Sequence, residues 1–242
     1  MLAVAERRRY GRGPMDVHRL TVGPLAEHCY LARRDADSTR AIVVDPGADA
    51  PAVLDLVERL GVTVEAILVT HCHVDHVGAV APVARATGAP VHCAEVEAPI
   101  LAVLPEAMRS SRMPARLGPF EAHEAEVLLR GGERLTLAGI AIDVLATPGH
   151  SPGHLVYAVA AASAAFSGDI VFAGALGGTV APFGDAAALE RSLRLLLATL
   201  APETTLHPGH GEETTLAREL AANARLAALA APAATGRSGN GR

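Results

Sequence analysis

Hydrophobic positions along the chain switch between a two-residue and a three-to-four-residue spacing, the signatures of half-buried strands and amphipathic helices. Residues 17–22, 27–33 and 40–45 read as short strands, closed by the turn Asp45-Pro46-Gly47. Residues 50–60 place Leu54, Val57 and Leu60 at helical spacing. Residues 66–69 read as a buried strand that ends at Thr70 and a histidine-rich loop, and 78–87 and 95–104 read as helices. After a Pro/Arg-rich middle section the strand pattern resumes. Residues 134–137 and 140–146 flank a tight turn at Ala138-Gly139, and 154–160 pairs with 163–166. A helix over 187–200, a short strand over 204–206 and a helix over 213–230 close the pattern. Strand-rich blocks followed by helices occur twice, which predicts two packed sheets with helices outside.

At 242 residues, half of them apolar and 19% charged, the chain can bury a large core. With no Trp and only 3% aromatic residues, Val, Leu, Ile and Ala must fill that core. Residues 1–14 are Arg- and Gly-rich and are expected to form a flexible leader, with Met15 a candidate start residue. Residues 15–230 are expected to form the one functional domain, and 231–242 a disordered tail. The net charge of −5 offers no general attraction to nucleic acid or anionic membranes, so neither is expected as a partner. Three cysteines (Cys29, Cys72, Cys93), the lack of a signal-peptide pattern and the lack of a membrane-spanning run point to a cytoplasmic protein.

The chemistry concentrates in Thr70-His71-Cys72-His73-Val74-Asp75-His76-Val77-Gly78. A loop leaving a strand can splay alternate side chains, so His71 and His73 can reach one ion while Asp75 and His76 turn to a second. Imidazole nitrogen and carboxylate oxygen are the donors that zinc and related metals take in catalytic sites. Three further turns follow strands: Thr147-Pro148-Gly149-His150, Ser167-Gly168-Asp169 and Pro208-Gly209-His210-Gly211. Each alone is a weak signal, since a lone His in a Gly/Pro turn is ordinarily a turn or surface residue. Arriving together at strand ends, in this order, they form a strong one.

The set HxHxDH, TPGH, SGD and PGHG resembles the metallo-β-lactamase superfamily over residues 17 to 230. The resemblance implies an α+β fold, the αββα sandwich, with metals in a cleft at one edge of the paired sheets. It implies that His71, His73 and His150 hold a first metal, that Asp75, His76 and His210 hold a second, and that Asp169 bridges both. Two divalent ions per chain follow, zinc first, with iron or manganese also compatible with these donors. Such a pair lowers the pKa of a shared water from about 15.7 to about 7, and the bridging hydroxide attacks a carbonyl or phosphoryl centre. Asp75 is the expected catalytic residue, orienting that hydroxide and receiving its proton.

The nearest subgroup is the glyoxalase II-like thioesterases, resembled by Val22-Gly23-Pro24-Leu25-Ala26-Glu27-His28-Cys29-Tyr30, by Val44-Asp45-Pro46-Gly47 and by residues 168–174. A thioester of a small molecule suits the apparatus, because a thiolate of pKa about 8.5 leaves without prior protonation. Three departures count against glutathione as the acyl carrier. The GxGRTD stretch is replaced by Ala175-Leu176-Gly177-Gly178-Thr179-Val180, His28 stands where Asn is usual, and no C-terminal helical domain follows. Lactone or β-lactam opening and an iron-dependent persulfide dioxygenase are the alternatives, and a binding module without catalysis is disfavoured by the complete ligand set.

Other residues have local readings. Cys72 is expected to face the core, as are Cys29 and Cys93. His18, His92 and His123 are expected at the surface or capped, His154 and His207 as supports beside ligand loops, and His28 as an ordinary strand-end residue. Arg109, Arg112 and Arg116 lie in 104–126, a stretch that either overhangs the cleft or forms a solvated face.

Overall fold

A computed structural model describes residues 4–9, 15–103, 120–180 and 183–230. The first sheet has seven strands in sequence order: β1 (Val4–Arg9), β2 (Asp16–Val22), β3 (Glu27–Arg33), β4 (Arg40–Val44), β5 (Thr63–Leu68), β6 (Val91–Ala94) and β7 (Val127–Leu129). The first four are antiparallel, and β4 to β7 run parallel, linked by helices on the outer face. The second sheet is built from β8 (Arg134–Leu137), β9 (Ile140–Ala146), β10 (Leu155–Val159), β11 (Ala164–Gly168), β14 (Thr205–Pro208) and β15 (Thr214–Thr215), in the order β15-β14-β11-β10-β9-β8. A small ribbon of β12 (Val171–Phe172) and β13 (Ala175–Leu176) stands apart.

Period-two alternation produces the layers. In β3, Tyr30 and Ala32 face the second sheet while Cys29 and Leu31 face outward. In β10, Leu155, Tyr157 and Val159 face the first sheet while Val156 and Ala158 face outward. The central layer therefore buries Tyr30, Ile42, Leu68, Ile142, Tyr157 and Phe166 between the sheets. On the first sheet's outer face lie α1 (Ala50–Leu60), α2 (Val74–Val77), α3 (Val80–Thr87) and α4 (Ala98–Ala102). On the second sheet's outer face lie α5 (Ala186–Thr199), α6 (Leu216–Ala222) and α7 (Ala224–Ala230). This is the expected αββα sandwich.

The helix over 50–60 and the Ala138-Gly139 hairpin form where expected; Ala138 and Gly139 both have positive φ, as a two-residue turn between twisted strands requires. Three differences have local causes. The closing helix breaks at Asn223, whose Oδ1 accepts from the backbone N–H of Arg225 and Leu226 and so starts a new helix. Glu95 and Val96 lie outside α4, because the Glu95 backbone N–H donates to Leu129 O at 2.9 Å and so continues the pairing of β6 with β7. Within the expected flexible leader, Val4–Arg9 pairs along β2, since backbone pairing with an edge strand needs no apolar periodicity. Residues 231–242, and Arg109, Arg112 and Arg116, lie outside the described residues.

Candidate metal centre

The parallel strands β4, β5 and β6 end on the same edge, where open α/β sheets characteristically collect ligand-binding loops. Asp45 leaves β4 with a left-handed φ of 47° and organises the histidine-rich loop that leaves β5. Its Oδ1 accepts from Thr70 N at 2.7 Å, and its Oδ2 accepts from Thr70 Oγ1 at 2.6 Å and His76 Nδ1 at 2.9 Å. Because the Thr70 hydroxyl donates to Asp45, it accepts from His71 Nδ1 at 3.1 Å. One carboxylate thus fixes the tautomer of two histidines and turns both Nε2 atoms toward the cleft.

The second sheet supplies the rest. The turn after β9 carries His150, which donates through Nδ1 to Gly178 O at 2.9 Å and presents Nε2. The N-terminal half of α5 holds that turn: Ser192 Oγ donates to Pro148 O at 2.7 Å and Asp185 N to Gly149 O at 2.8 Å. Asp169 follows β11, and its backbone N–H donates to His154 Nε2 at 3.1 Å. His210 follows β14, in a turn held against β3 by the bond from His28 N to Gly209 O at 2.8 Å.

All seven predicted side chains converge. His71 Nε2 and His150 Nε2 each lie 3.0 Å from His73 Nδ1. His210 Nε2 lies 3.1 Å from Asp75 Oδ2. Asp169 stands between the groups, with Oδ1 3.4 Å from His76 Nε2 and Oδ2 3.6 Å from His150 Nε2 and 3.7 Å from His210 Nε2. His71, His73 and His150 form one set of potential ligand atoms within 4.8 Å of one another, and Asp75, His76 and His210 another.

These residues fit divalent cations. With Nδ1–H of His71 and His150 committed elsewhere, a single proton on His73 Nδ1 can serve only one of the two facing Nε2 atoms. His76 Nε2 and Asp169 Oδ1 are fully buried with no hydrogen-bond partner among the described residues. A Cβ at Gly209 would overlap both Asp169 Oδ1 and the His76 ring, so glycine keeps that space open.

The electrostatics separate the histidines. Burial, reinforced by the neighbouring imidazoles, holds His71 well below its usual range, lowers His73 to about 4 and lowers His154 to about 3. His76 goes the other way. Burial lowers its pKa, but the Asp169 and Asp45 carboxylates on either side of the ring outweigh that and raise it well above the usual range. For Asp169, burial is outweighed by His76, His210 and His150, and the carboxyl is held far below the ordinary range.

Several supporting residues were misread or missed. His28 is buried and clamps the His210 turn, donating Nε2–H to Gly211 O at 2.7 Å while Thr21 Oγ1 lies 3.1 Å from its Nδ1. Only its place in the opening motif marked it. His154 supports Asp169 as expected, whereas His207 bonds Glu213 and stacks on Phe166. His18 and His92 are buried, His18 beside Asp16 and His92 under its own strand end. Cys72 faces the core, its Sγ 3.6 Å from that of Cys93. Glu27 is fully buried 3.8 Å from His76 Nδ1, and burial pushes its carboxyl well above the usual range.

The chain belongs to the metallo-β-lactamase superfamily, whose family model matches residues 22–210. It is 30% identical over 210 residues to the hydroxyacylglutathione hydrolase GloC of Haemophilus influenzae, covering 86% of this chain and 97% of that protein. Among solved structures it resembles the BLEG-1 B3 metallo-β-lactamase, at 33% identity and a TM-score of 0.80, covering 87% of this chain and 99% of that one. It also resembles TTHA1623 in a di-iron-bound form, at 37% identity and a TM-score of 0.71, covering 85% and 98%. Among the described residues, no helix is long and apolar enough to cross a membrane.

Proposed function

We propose that the protein is a dinuclear metal-dependent thioesterase in which His71, His73 and His150 hold one cation, Asp75, His76 and His210 hold the other, and Asp169 bridges them. The observation that carries this reading is the double triad about Asp169, with the buried His76 Nε2 and Asp169 Oδ1 facing each other at 3.4 Å across the space that Gly209 leaves open. Zinc is the first candidate and iron the second, in keeping with the di-iron form of the similar TTHA1623.

When bound, two such ions acidify a shared water and polarise the acyl oxygen. The protein's residues do the rest. Asp75, whose Oδ2 lies 3.1 Å from His210 Nε2, orients the attacking water and takes its proton. Asp45 keeps the His71 and His76 rings from rotating, through Thr70 in the first case and directly in the second. A thiolate needs no proton to depart, which matches a centre with no assigned general acid. The similarity to GloC supports a hydroxyacyl thioester, whereas the altered 175–180 stretch argues for a carrier other than glutathione.

The experiment is metal analysis of the purified protein together with hydrolysis of glutathione and coenzyme A thioesters. Lactones and a chromogenic β-lactam run beside them, since the likeness to BLEG-1 favours ring opening as the second reading. Two metals per chain with thioester turnover, both lost in His73→Ala, is the expected result. Turnover of only the cyclic substrates would replace the thioesterase reading. A metal-free enzyme of full activity would remove both.

A further inference from the structure

Glu97 sits at the start of α4 with its side chain turned away from the helix it precedes. It is 1% exposed, and its carboxyl receives donors from two ligand-bearing loops, one from each sheet. Oε2 accepts the backbone N–H of Cys72, the residue between His71 and His73. Oε1 accepts the hydroxyl of Ser151, which follows His150, and the backbone N–H of Gly153 at 2.8 Å. The approach of the second loop depends on residue 153 having no side chain: a Cβ there would lie 2.8 Å from Glu97 Cγ and 3.0 Å from Ala94 Cβ. Glu97 therefore lies behind the cleft, where it touches no substrate, and ties the loop leaving β5 to the loop leaving β9.

We infer that Glu97 is a positioning residue that sets the spacing between His71, His73 and His150 and thereby the affinity of the metal site those three form. The inference rests on the proposed metal centre and not on the proposed substrate. A carboxyl joining three donors can hold two loops from different sheets in one register, which a single backbone contact cannot do. In Glu97→Gln one oxygen becomes an amide that meets donors with a donor. The loops then separate and the three ring nitrogens lose their common centre. The effect falls on the His71–His73–His150 site, because Glu97 bonds the residues beside His73 and His150, whereas His76 bonds Asp45 directly and the His210 turn is held by His28.

The test uses the full chain loaded with cobalt(II), with the two binding affinities resolved by chelator competition and each site followed by its visible absorption. Circular dichroism reports folding. In the native protein two classes of cobalt site are expected. Glu97→Gln should weaken one class by about 10–100-fold and change its absorption bands, the range seen when an outer partner of a metal ligand is lost. Ser151→Ala, which removes one donor of the three, should weaken the same class by less, and the other class should stay as in the native protein. If Glu97→Gln does not fold, Ser151→Ala decides by the same criterion. Native affinity at both classes in the folded variants would overturn the inference, as would an equal loss at both classes. A native protein that binds no cobalt would sink the metal-centre reading itself and the role of Glu97 with it.

Discussion

His76 Nδ1 lies 2.9 Å from Asp45 Oδ2, and the opposite ring nitrogen lies 3.4 Å from Asp169 Oδ1. The imidazole is thus held between a carboxylate that orients it and one that shares its face of the cleft. Asp45 also receives Thr70, so one buried side chain governs the direction of both His71 and His76. Asp45→Asn should leave an oxygen for part of this network and place an amide against a donor in the rest. The expected outcome is metal affinity about 10–100-fold lower, with loss of catalysis that excess metal partly restores. Dialysis against a chelator followed by metal analysis checks it, and an unchanged metal content would refute the role given to Asp45.

Gly209 makes a steric prediction. A Cβ at this position would occupy the space between Asp169 Oδ1 and His76. Gly209→Ala should displace those ligands and reduce metal content by at least one equivalent while the far-ultraviolet dichroism stays native. Gly178→Ala is the control, because a Cβ there meets nothing within 4 Å and its backbone carbonyl still serves His150. Equal metal content in the two variants would show that the cradle tolerates filling.

His28→Ala removes the bond to Gly211 O and leaves that carbonyl, in the turn carrying His210, without its buried partner. The loss should destabilise the protein by about 1 kcal/mol, the usual net contribution of one hydrogen bond, because Gly211 is exposed and water can take the place of the donor. Urea denaturation measures this. A stability change near zero, with metal content unaffected, would return His28 to the role of an ordinary strand-end residue.

The αββα layers were legible because strand-rich blocks followed by helices occur twice, a pattern that packs as two sheets with helices outside. Which residue faces which layer was not legible, because Cys29-Tyr30-Leu31-Ala32 is an unbroken apolar run buried on both faces. The seven candidate ligands were legible for a different reason: four crowd into six residues after a buried strand, and His150, Asp169 and His210 each follow a Gly in a turn after a strand. Glu97, Asp45 and His28 gave no comparable signal for their roles. Their partners are distant in sequence, at Ser151, His76 and Gly211, and an isolated acidic residue near a helix start reads as a solvated cap. The breaks at Glu95 and Asn223 were hidden for the same reason. Helical periodicity continues through them, and only a backbone bond to Leu129 in one case and an Asn cap in the other interrupt it.

Tyr157 joins the sheets directly beneath the centre. It is fully buried on β10, and its hydroxyl donates to Val69 O at 2.8 Å, just before the metal loop. Tyr157→Phe keeps the ring and removes this single bond. The expected loss is about 1 kcal/mol, or a Tm lower by about 2–4 °C for a chain of this size. Calorimetry would check it, and a Tm equal to or above that of the native protein would contradict the assignment of this bond.

Asp16 is buried at the start of β2, and its Oδ2 accepts Arg33 Nε at 2.8 Å and lies 3.2 Å from His18 Nε2. Burial raises the carboxyl's pKa, but the hydrogen bonds and charges of Arg33 and His18 outweigh it and hold it below the usual value. A group whose pKa is lower in the folded state adds stability above its unfolded pKa of about 3.9 and loses it as the pH falls through the folded value. Asp16→Asn should therefore destabilise the protein at neutral pH by about 3 kcal/mol, because Arg33 stays buried with a weaker partner. The gap between variant and native protein should begin to narrow as the pH drops below about 4, where the carboxyl of the unfolded chain takes up a proton, and should close as the pH falls through the lower folded value. Unfolding free energies measured from pH 7 downward would display this convergence. A gap that stays constant with pH would mean that Asp16 contributes through packing and not through its charge.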